Sequence, residues 1–305
     1  MEETSILKQY LNSGRVKDEY TIPTRRGETA MTCVRAPVAA GSFYPADPAE
    51  LTSVLQTYLR RGEARVNASA QKTPKAIIAP HAGYRYSGEV AASAYALLKP
   101  ARELVSRVVL IGPAHRFPVT GLALPVESSF ATPLGDLSVD TAAVARIAGF
   151  DFVNVVSEAH HFEHALEVHL PFLQQVLSSF SIVPLLAGDV TPAEVRELLD
   201  CLWGGAETLF VISSDLSHFH DRRTATHIDA QTSAAIERLD ADGVGAGQAC
   251  GCMPIRGLLM AAGDRKLKAR IVDVRNSGDT AGGTGEVVGY GAYVFSEAGE
   301  GNGSA

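Results

Sequence analysis

Short runs of purely apolar residues, separated by longer amphipathic stretches, constrain the fold of this 305-residue chain more than any other feature. The runs AIIA, VVLI and LFVI contain no polar side chain, as expected of strands that are covered on both faces of a sheet. The predicted strands are Lys75–Ala79, Arg107–Ile111, Gly121–Leu124, Ile182–Leu186, Thr208–Ser213, Ala269–Val274 and Val287–Phe295. Because they alternate with helical patterns, we predict an α/β fold with a central, largely parallel or mixed β-sheet and helices on both faces.

The stretches between these runs have the spacing of amphipathic helices. The first begins with Asp47 and Pro48, an N-cap residue followed by proline at the first helical position. The predicted helices are Pro48–Arg61, Gly88–Leu98, Val139–Ala148, Glu163–Phe180, Pro192–Trp203, Asp221–Leu239 and Pro254–Ala262. No repeat or low-complexity linker divides the chain, so we expect a single domain over residues 33–296. We expect residues 1–32 to form a mobile polar extension, with Met31 as an alternative start, and residues 297–305 a frayed tail.

Composition and charge argue against several classes of protein. Apolar residues make up 46% of the chain and charged residues 20%, which is ordinary for a protein with a large buried core. The net charge of −7 argues against a sequence-independent grip on nucleic acid, which requires clustered Lys and Arg. No apolar segment approaches the roughly 20 residues that span a bilayer, and the N-terminus lacks a signal-peptide core. Since four cysteines do not make a disulfide framework in so long a chain, we expect a cytoplasmic protein without membrane or nucleic-acid partners.

Titratable side chains follow three of the apolar runs. His81 comes after AIIAP and His115 after VVLIGPA, while Asp215 and His218 come after LFVISS. Ligands of open α/β sheets bind beyond the carboxyl ends of the strands, so we expect these side chains to meet there. Neutral imidazoles bind iron, zinc, copper and nickel. The alternative is that each histidine only caps its own loop.

A pair of cysteines precedes the last predicted helix. Cys250 and Cys252 lie in the phrase ACGCMP, where a helix N-terminus is expected to favour the thiolate form. Either sulfur is therefore a candidate third metal ligand. The alternative is a pair of buried thiols that only pack against the helix.

The segment EHALEVHLP carries two histidines and two glutamates within the predicted helix 163–180. His164 and His169 are five residues apart, about 140° around a regular helix, so they cannot both bind one ion from it. This spacing also differs from the H-E-x-x-H motif of zinc proteases. We expect His164 or Glu167 to line the pocket behind the metal ligands, with a purely structural role as the alternative.

With these residues in hand, the chain resembles the Memo family, named after a mediator of cell motility in animals. The prokaryotic members are called AmmeMemoRadiSam system protein B. The resemblance extends from residue 35 to residue 295. It is carried by AAGSFYP (39–45), IIAPHAGYRYSG (77–88), LIGPAH (110–115), TPLGDL (132–137), EHALEVHLPFLQ (163–174), VISSDLSH (211–218), CGCMPI (250–255) and VVGYGAY (287–293).

The resemblance implies a fold similar to that of class III extradiol dioxygenases and a metal site made of two histidines and a cysteine. These ligands correspond to His81, His115 and Cys250. Fe(II) is the first expectation for the metal, with Cu or Zn as alternatives, because a thiolate is softer than the carboxylate of the dioxygenases. Cys252 replaces an arginine of the animal motif and is expected to place a second thiol near the site.

The same resemblance assigns further residues to the pocket. His218 corresponds to the catalytic base of the dioxygenases, and we expect Asp215 to orient it or to hold a water molecule. Phe43 takes the place of a tryptophan and Tyr86 that of a pocket tyrosine.

Two functions follow as hypotheses. The first is a metal-dependent redox protein, or a non-haem iron oxygenase-like enzyme, that acts on a small molecule. The second is an adaptor that binds a small molecule or peptide at a vestigial dioxygenase site without turnover. The name of the prokaryotic system implies a functional link to a radical-SAM protein and an AMMECR-type protein.

Overall fold

A computed structural model describes residues 33–66, 73–282 and 285–297, all within one compact unit, Thr32–Ala305. The predicted N-terminal extension and nearly all of the predicted tail lie outside these residues. The strands are β1 Val34–Arg35, β2 Ala76–Ala79, β3 Arg107–Pro113, β4 Leu122–Leu124, β5 Ser129–Thr132, β6 Gly135–Ser138, β7 Val153–Val155, β8 Ser181–Ala187, β9 Thr208–Ser213, β10 His218–Asp221, β11 Leu267–Asn276 and β12 Glu286–Glu297. The α-helices are α1 Pro48–Val66, α2 Tyr84–Tyr95, α3 Thr141–Ile147, α4 Ser157–His161, α5 Leu170–Val176, α6 Pro192–Leu202, α7 Arg222–Glu237, α8 Cys252–Asp264 and α9 Ser277–Thr280. In the described residues, 3₁₀ helices span Ala96–Ala101 and Glu167–His169.

The main sheet is mixed, with a parallel centre. Its strands lie in the order β10-β12-β2-β9-β3-β8-β4-β7, and β11 pairs with β12. The four central strands β2, β9, β3 and β8 are parallel, whereas β10, β11 and β12 pair antiparallel and β4 is antiparallel to β8. Ile212 of β9 pairs with Ile78 on one side and with Ile111 on the other. The carboxyl ends of three neighbouring strands therefore meet at one edge.

Alternate residues of the apolar runs enter two separate hydrophobic layers. Ile77 and Ala79 pack in the layer under α1, α2 and α5, whereas Ala76 and Ile78 pack in the layer under α3, α6, α7 and α8. Both layers are closed to solvent, which explains why these strands carry no polar side chain. The predicted α/β fold with helices on both faces is confirmed.

The long helix predicted over residues 163–180 is wrong. Residues 163–166 form an irregular turn that leads into the 3₁₀ helix Glu167–His169 and then α5. The Glu163 carboxylate accepts the backbone N–H groups of His164 and Ala165, and such local hydrogen bonds compete with helix formation. Pro171 lies in the first turn of α5, where its missing N–H costs nothing.

Several short strands had no recognisable signal in the sequence. Strands β1, β5 and β6 form a separate three-stranded sheet, and β7 pairs with β4 at the far edge of the main sheet. His218 begins strand β10 instead of lying in a loop. Among the described helices, none combines the length and the apolar character needed to cross a bilayer.

Candidate metal centre

Three histidines meet at the carboxyl edge of the sheet. His81 follows β2 and His115 follows β3, and β9 lies between these two strands. His164 reaches the same place from the irregular turn before the Glu167–His169 helix. One ring nitrogen from each histidine lies within 4.8 Å of the other two, a grouping that could hold a metal ion. The structure therefore brings together His81 and His115, as predicted, and places His164, which was expected to line the pocket behind the ligands, among the donors.

The hydrogen bonds of His81 determine which ring nitrogen carries the proton. The Ser213 hydroxyl donates to the carbonyl of Ala165 at 2.6 Å, so it must accept a hydrogen from Nδ1 of His81, also at 2.6 Å. Nε2 then keeps a free electron pair for a metal ion. Burial, reinforced by the neighbouring His115, holds the pKa of His81 well below its usual value. The ring is therefore neutral, as a metal ligand must be.

Glu163 fixes the tautomer of His115 in the same way. Its carboxylate accepts the backbone N–H of His115 at 2.6 Å and lies 3.0 Å from Nδ1 of the ring. Because a carboxylate only accepts, Nδ1 carries the proton and Nε2 is free. Burial raises the pKa of Glu163, but the hydrogen bonds from His115 and Ala165 outweigh burial and bring that pKa to about 2.

Glu163 also contacts the third histidine, with 3.3 Å between Oε1 and Nδ1 of His164. A carboxylate that orients metal-binding imidazoles is a common partner of such sites. Sequence reasoning named His164 and Glu167 as the pocket candidates of this segment and left Glu163 out. The adjacent Glu163–His164 pair was the available signal, but only the irregular turn brings the carboxylate to His115.

Cys250 lies close to His81 and two residues before helix α8. Its sulfur is 3.4 Å from Nε2 of His81. A tetrahedral ion binds sulfur at about 2.3 Å and nitrogen at about 2.0 Å. A sulfur and a nitrogen bound to the same ion therefore lie roughly 3.5 Å apart. Within the described residues, the group of atoms that all lie within 4.8 Å of one another comprises the three histidines without Cys250. Cys250 thus adjoins His81 on one side of the cluster.

The predicted thiolate character of Cys250 is wrong for the metal-free protein. Burial, with the nearby charge of Asp215, raises the pKa of the Cys250 thiol to about 12. The backbone N–H of Asp215 reaches the sulfur at 3.2 Å, but this contact does not offset the loss of solvent. The sulfur therefore becomes a thiolate at neutral pH only when a cation replaces its proton.

Asp215 connects His81 to Cys250. Its Oδ1 accepts the backbone N–H of His81 at 2.8 Å, and its carbonyl oxygen accepts the backbone N–H of Cys250 at 3.2 Å. Burial raises the pKa of Asp215. The ring of His218 is oriented by a different group, since its Nδ1 donates to the carbonyl of Leu216 at 2.8 Å. Nε2 of His218 is thereby left to accept a proton, but the predicted orienting role of Asp215 does not hold.

The predicted aromatic residues lie in different environments. The ring of Phe43 packs against His164, with 4.3 Å between the ring centroids. Tyr86 lies in the first turn of α2 and is 43% exposed, and the guanidinium of Arg85 lies over its ring. Tyr290 on β12, which sequence reasoning missed, is buried, and the charge of Asp215 adds to the burial that raises its pKa.

Glu167 and Cys252 lie away from the histidine cluster. Glu167 is fully buried in an ion pair with Arg35 at 2.7 Å and accepts a hydrogen bond from the Tyr44 hydroxyl at 2.6 Å. Cys252 packs in the hydrophobic layer beneath α8, where burial raises its pKa. Glu163 and Glu167 are four positions apart, but the irregular turn over residues 163–166 directs the two carboxylates to different partners.

The donor set fits a borderline or soft transition metal. Three imidazoles, of which two have a fixed Nδ1–H tautomer, together with a neighbouring sulfur suit iron, copper or zinc better than magnesium or calcium.

Comparisons with known proteins identify the family of this chain. The family model for Memo-like protein matches residues 35–294. A MEMO1 family protein of Aquifex aeolicus is 33% identical over 277 residues, which cover 86% of this chain and 99% of that protein. A MEMO1 family protein of Methanosarcina barkeri is 34% identical over 279 residues, covering 86% and 99%. The crystal structure of an uncharacterized protein from Escherichia coli K12 aligns with a TM-score of 0.45 at 16% identity, covering 73% of this chain and 100% of that chain. The chain therefore belongs to the Memo-like family.

Proposed function

We propose that this protein binds one transition-metal ion through His81, His115 and Cys250, with His164 as a further donor. Fe(II) is the first candidate, and Cu and Zn are the alternatives. The observation that carries the proposal is the free Nε2 of His81, which has a fixed tautomer and lies 3.4 Å from the Cys250 sulfur. A histidine that only capped a loop would not need an unprotonated nitrogen facing a sulfur.

The site supports a metal-dependent redox function, of the non-haem iron oxygenase type, on a small molecule. A bound ion supplies Lewis-acid and redox chemistry at such a centre. His218 accepts a proton from a substrate hydroxyl at Nε2, since its Nδ1–H is committed to Leu216. Asp215 holds the backbones of His81 and Cys250 at fixed positions relative to each other. Phe43 packs against the ring of His164.

Metal analysis of protein purified without oxygen tests the proposal. We expect about one equivalent of metal in the wild type and its loss in His81→Ala, His115→Ala and Cys250→Ser. Cys252→Ser is the matched control, because that sulfur packs in the hydrophobic layer. Stoichiometric metal that survives all three changes at the site would rule out this assignment.

A binding role without turnover is the second candidate, and exposed aromatic rings favour it. Each of the four histidines His81, His115, His164 and His218 has an exposed aromatic residue within five positions along the chain. In that order, these are Tyr86, Phe117, Phe162 and Phe219. Exposed aromatic side chains in the segments that carry the site residues are candidates for contact with a ligand, a peptide or a partner such as the radical-SAM and AMMECR-type proteins. Oxygen uptake with hydroxylated aromatic compounds and reduced iron separates the two roles, since the binding role predicts none.

A further inference from the structure

Arg35 contacts the segment that carries Glu163 and His164 from a distant part of the sequence. Its guanidinium donates from Nε to the carbonyl of His160 at 2.8 Å and from Nη2 to the carbonyl of Glu163 at 2.6 Å. A third donor, Nη1, pairs with the Glu167 carboxylate at 2.7 Å. Arg35 is only 4% exposed, so these contacts are made out of solvent.

The residues that follow Arg35 hold the same segment at further points. The Glu167 carboxylate accepts the backbone N–H groups of Val38 at 2.9 Å and Ala39 at 2.8 Å. Tyr44 donates to it at 2.6 Å, and Phe43 packs on the ring of His164. We call residues 35–44 the clamp.

The clamp matters because the donors of the site are supported in two ways. His81 and His115 follow central strands of the sheet, and Cys250 is hydrogen-bonded to the loop after β9. His164 and Glu163 belong to an irregular turn without a strand or helix of its own. Their backbone position therefore depends on contacts from elsewhere.

We propose that Arg35 is a positioning residue of the metal centre. By holding the carbonyl of Glu163, it fixes His164 beside the other donors and keeps the Glu163 carboxylate on Nδ1 of His115. This inference rests on the proposed function, because it concerns how the same donors are placed.

Arg35→Lys tests this role because a lysine keeps the charge beside Glu167 but lacks the planar fork that serves three acceptors. The matched control is Arg107→Lys. Arg107 forms a largely buried ion pair with Asp140 at 2.6 Å, and this pair lies at the opposite, amino end of β3. Both changes remove an arginine fork, but only the first concerns the clamp.

The measurements are Zn²⁺ affinity by chelator competition, the absorption spectrum of the Co²⁺ form, and the thermal midpoint of the metal-free protein. We expect Arg35→Lys to weaken Zn²⁺ binding at least tenfold, in the range found when partners of metal ligands are removed. The ligand-field bands of Co²⁺ should change, whereas the thiolate-to-cobalt band from Cys250 should persist. Arg107→Lys should lower the thermal midpoint and leave Zn²⁺ affinity within twofold of wild type.

A double-mutant cycle shows whether Arg35 acts through His164. If it does, Arg35→Lys should weaken Zn²⁺ binding much less in a His164→Gln background than in the wild type, since the donor that it places is already gone. Phe43→Ala, which alters the other end of the clamp, should weaken binding in the same direction and serves if Arg35→Lys does not fold.

Equal Zn²⁺ affinity in the Arg35→Lys, Phe43→Ala and Arg107→Lys proteins would overturn the inference. Absence of metal binding in the wild type would instead contradict the proposed function. The two failures are therefore distinguishable.

Discussion

The two edges of the central sheet use polar side chains in opposite ways. At the amino edge, Lys75 donates to the carbonyl oxygens of Trp203, Gly205 and Thr208 at 2.6–2.7 Å, and Arg265 lies 3.9 Å above the Trp203 ring. A cleft of about 790 Å³ opens there, but its lysine has used all three of its hydrogens. The polar side chain at this edge therefore anchors the loop that contains Trp203 and Gly205 to the sheet.

At the carboxyl edge, nitrogen and sulfur donors from different segments face one another. His81 and His115 each donate from Nδ1 and leave Nε2 free, and the Cys250 sulfur lies next to one of these nitrogens. A cluster of nitrogen and sulfur donors that face one another, more than the volume of a cleft, is what a transition-metal site requires. The contrast between the two edges can be tested by substitution.

The largest effect is expected from the removal of a donor at the carboxyl edge. His81→Ala should weaken Zn²⁺ binding on the order of 1000-fold, about 4 kcal/mol, because a site of four donors contributes roughly 10–16 kcal/mol in total. Lys75→Met at the amino edge should leave the affinity unchanged. Chelator competition measures both, and equal losses in the two variants would remove the distinction between the edges.

Removal of the buried charge of Glu167 should lower the free energy of unfolding. Glu167→Gln leaves the Arg35 guanidinium without a counter-ion in a site closed to solvent, which costs about 3 kcal/mol or more. Urea unfolding of the metal-free protein gives the free-energy change. Glu237→Gln, on the exposed surface of α7, is the control, and a loss no larger than that of the control would contradict the buried pair.

Replacement of Glu163, four positions before Glu167, should weaken metal binding. Glu163→Gln offers an amide N–H where the carboxylate accepts from the ring of His115 and the backbone of His164, so the His115 ring loses its fixed orientation. Zn²⁺ affinity should fall by about 10- to 100-fold, or roughly 1.4–2.7 kcal/mol. Glu158→Gln on the exposed side of α4 is the control, and titration calorimetry with Zn²⁺ on both variants checks the expectation.

The smallest effect is expected in the pH dependence at the amino edge. Burial, partly offset by the charge of Glu207, lowers the pKa of Lys75 to about 8. Between pH 8 and the usual lysine value of 10.5, the unfolded chain holds a proton that the folded protein has released, so this group increases the stability as the pH rises.

Urea unfolding at several pH values measures this contribution. The difference in unfolding free energy between wild type and Lys75→Met should grow as the pH rises from 8 to 10. Lys268→Met, at an exposed position, should show no such trend, and a flat difference for Lys75→Met would contradict the lowered pKa.

The sequence predicted the elements that depend on local pattern. Apolar runs of four residues specify strands buried on both faces, and the parallel order of such strands brings His81 and His115 to one edge. The family motifs added Cys250, which lies beside His81 in the structure. The helical spacing wrongly predicted a helix at residues 163–166. Backbone N–H groups there donate to the Glu163 carboxylate instead of to the carbonyl groups of a helix.

The central strands, the two hydrophobic layers that cover them and the edge where His81 and His115 meet were therefore readable from the sequence, because short apolar runs are a local signal. Only the tertiary structure decided which of two neighbouring glutamates serves the site, since that depends on Arg35, more than 120 residues away along the chain. It also decided the protonation of Cys250, because the burial that raises its pKa comes from segments that the local sequence does not contain.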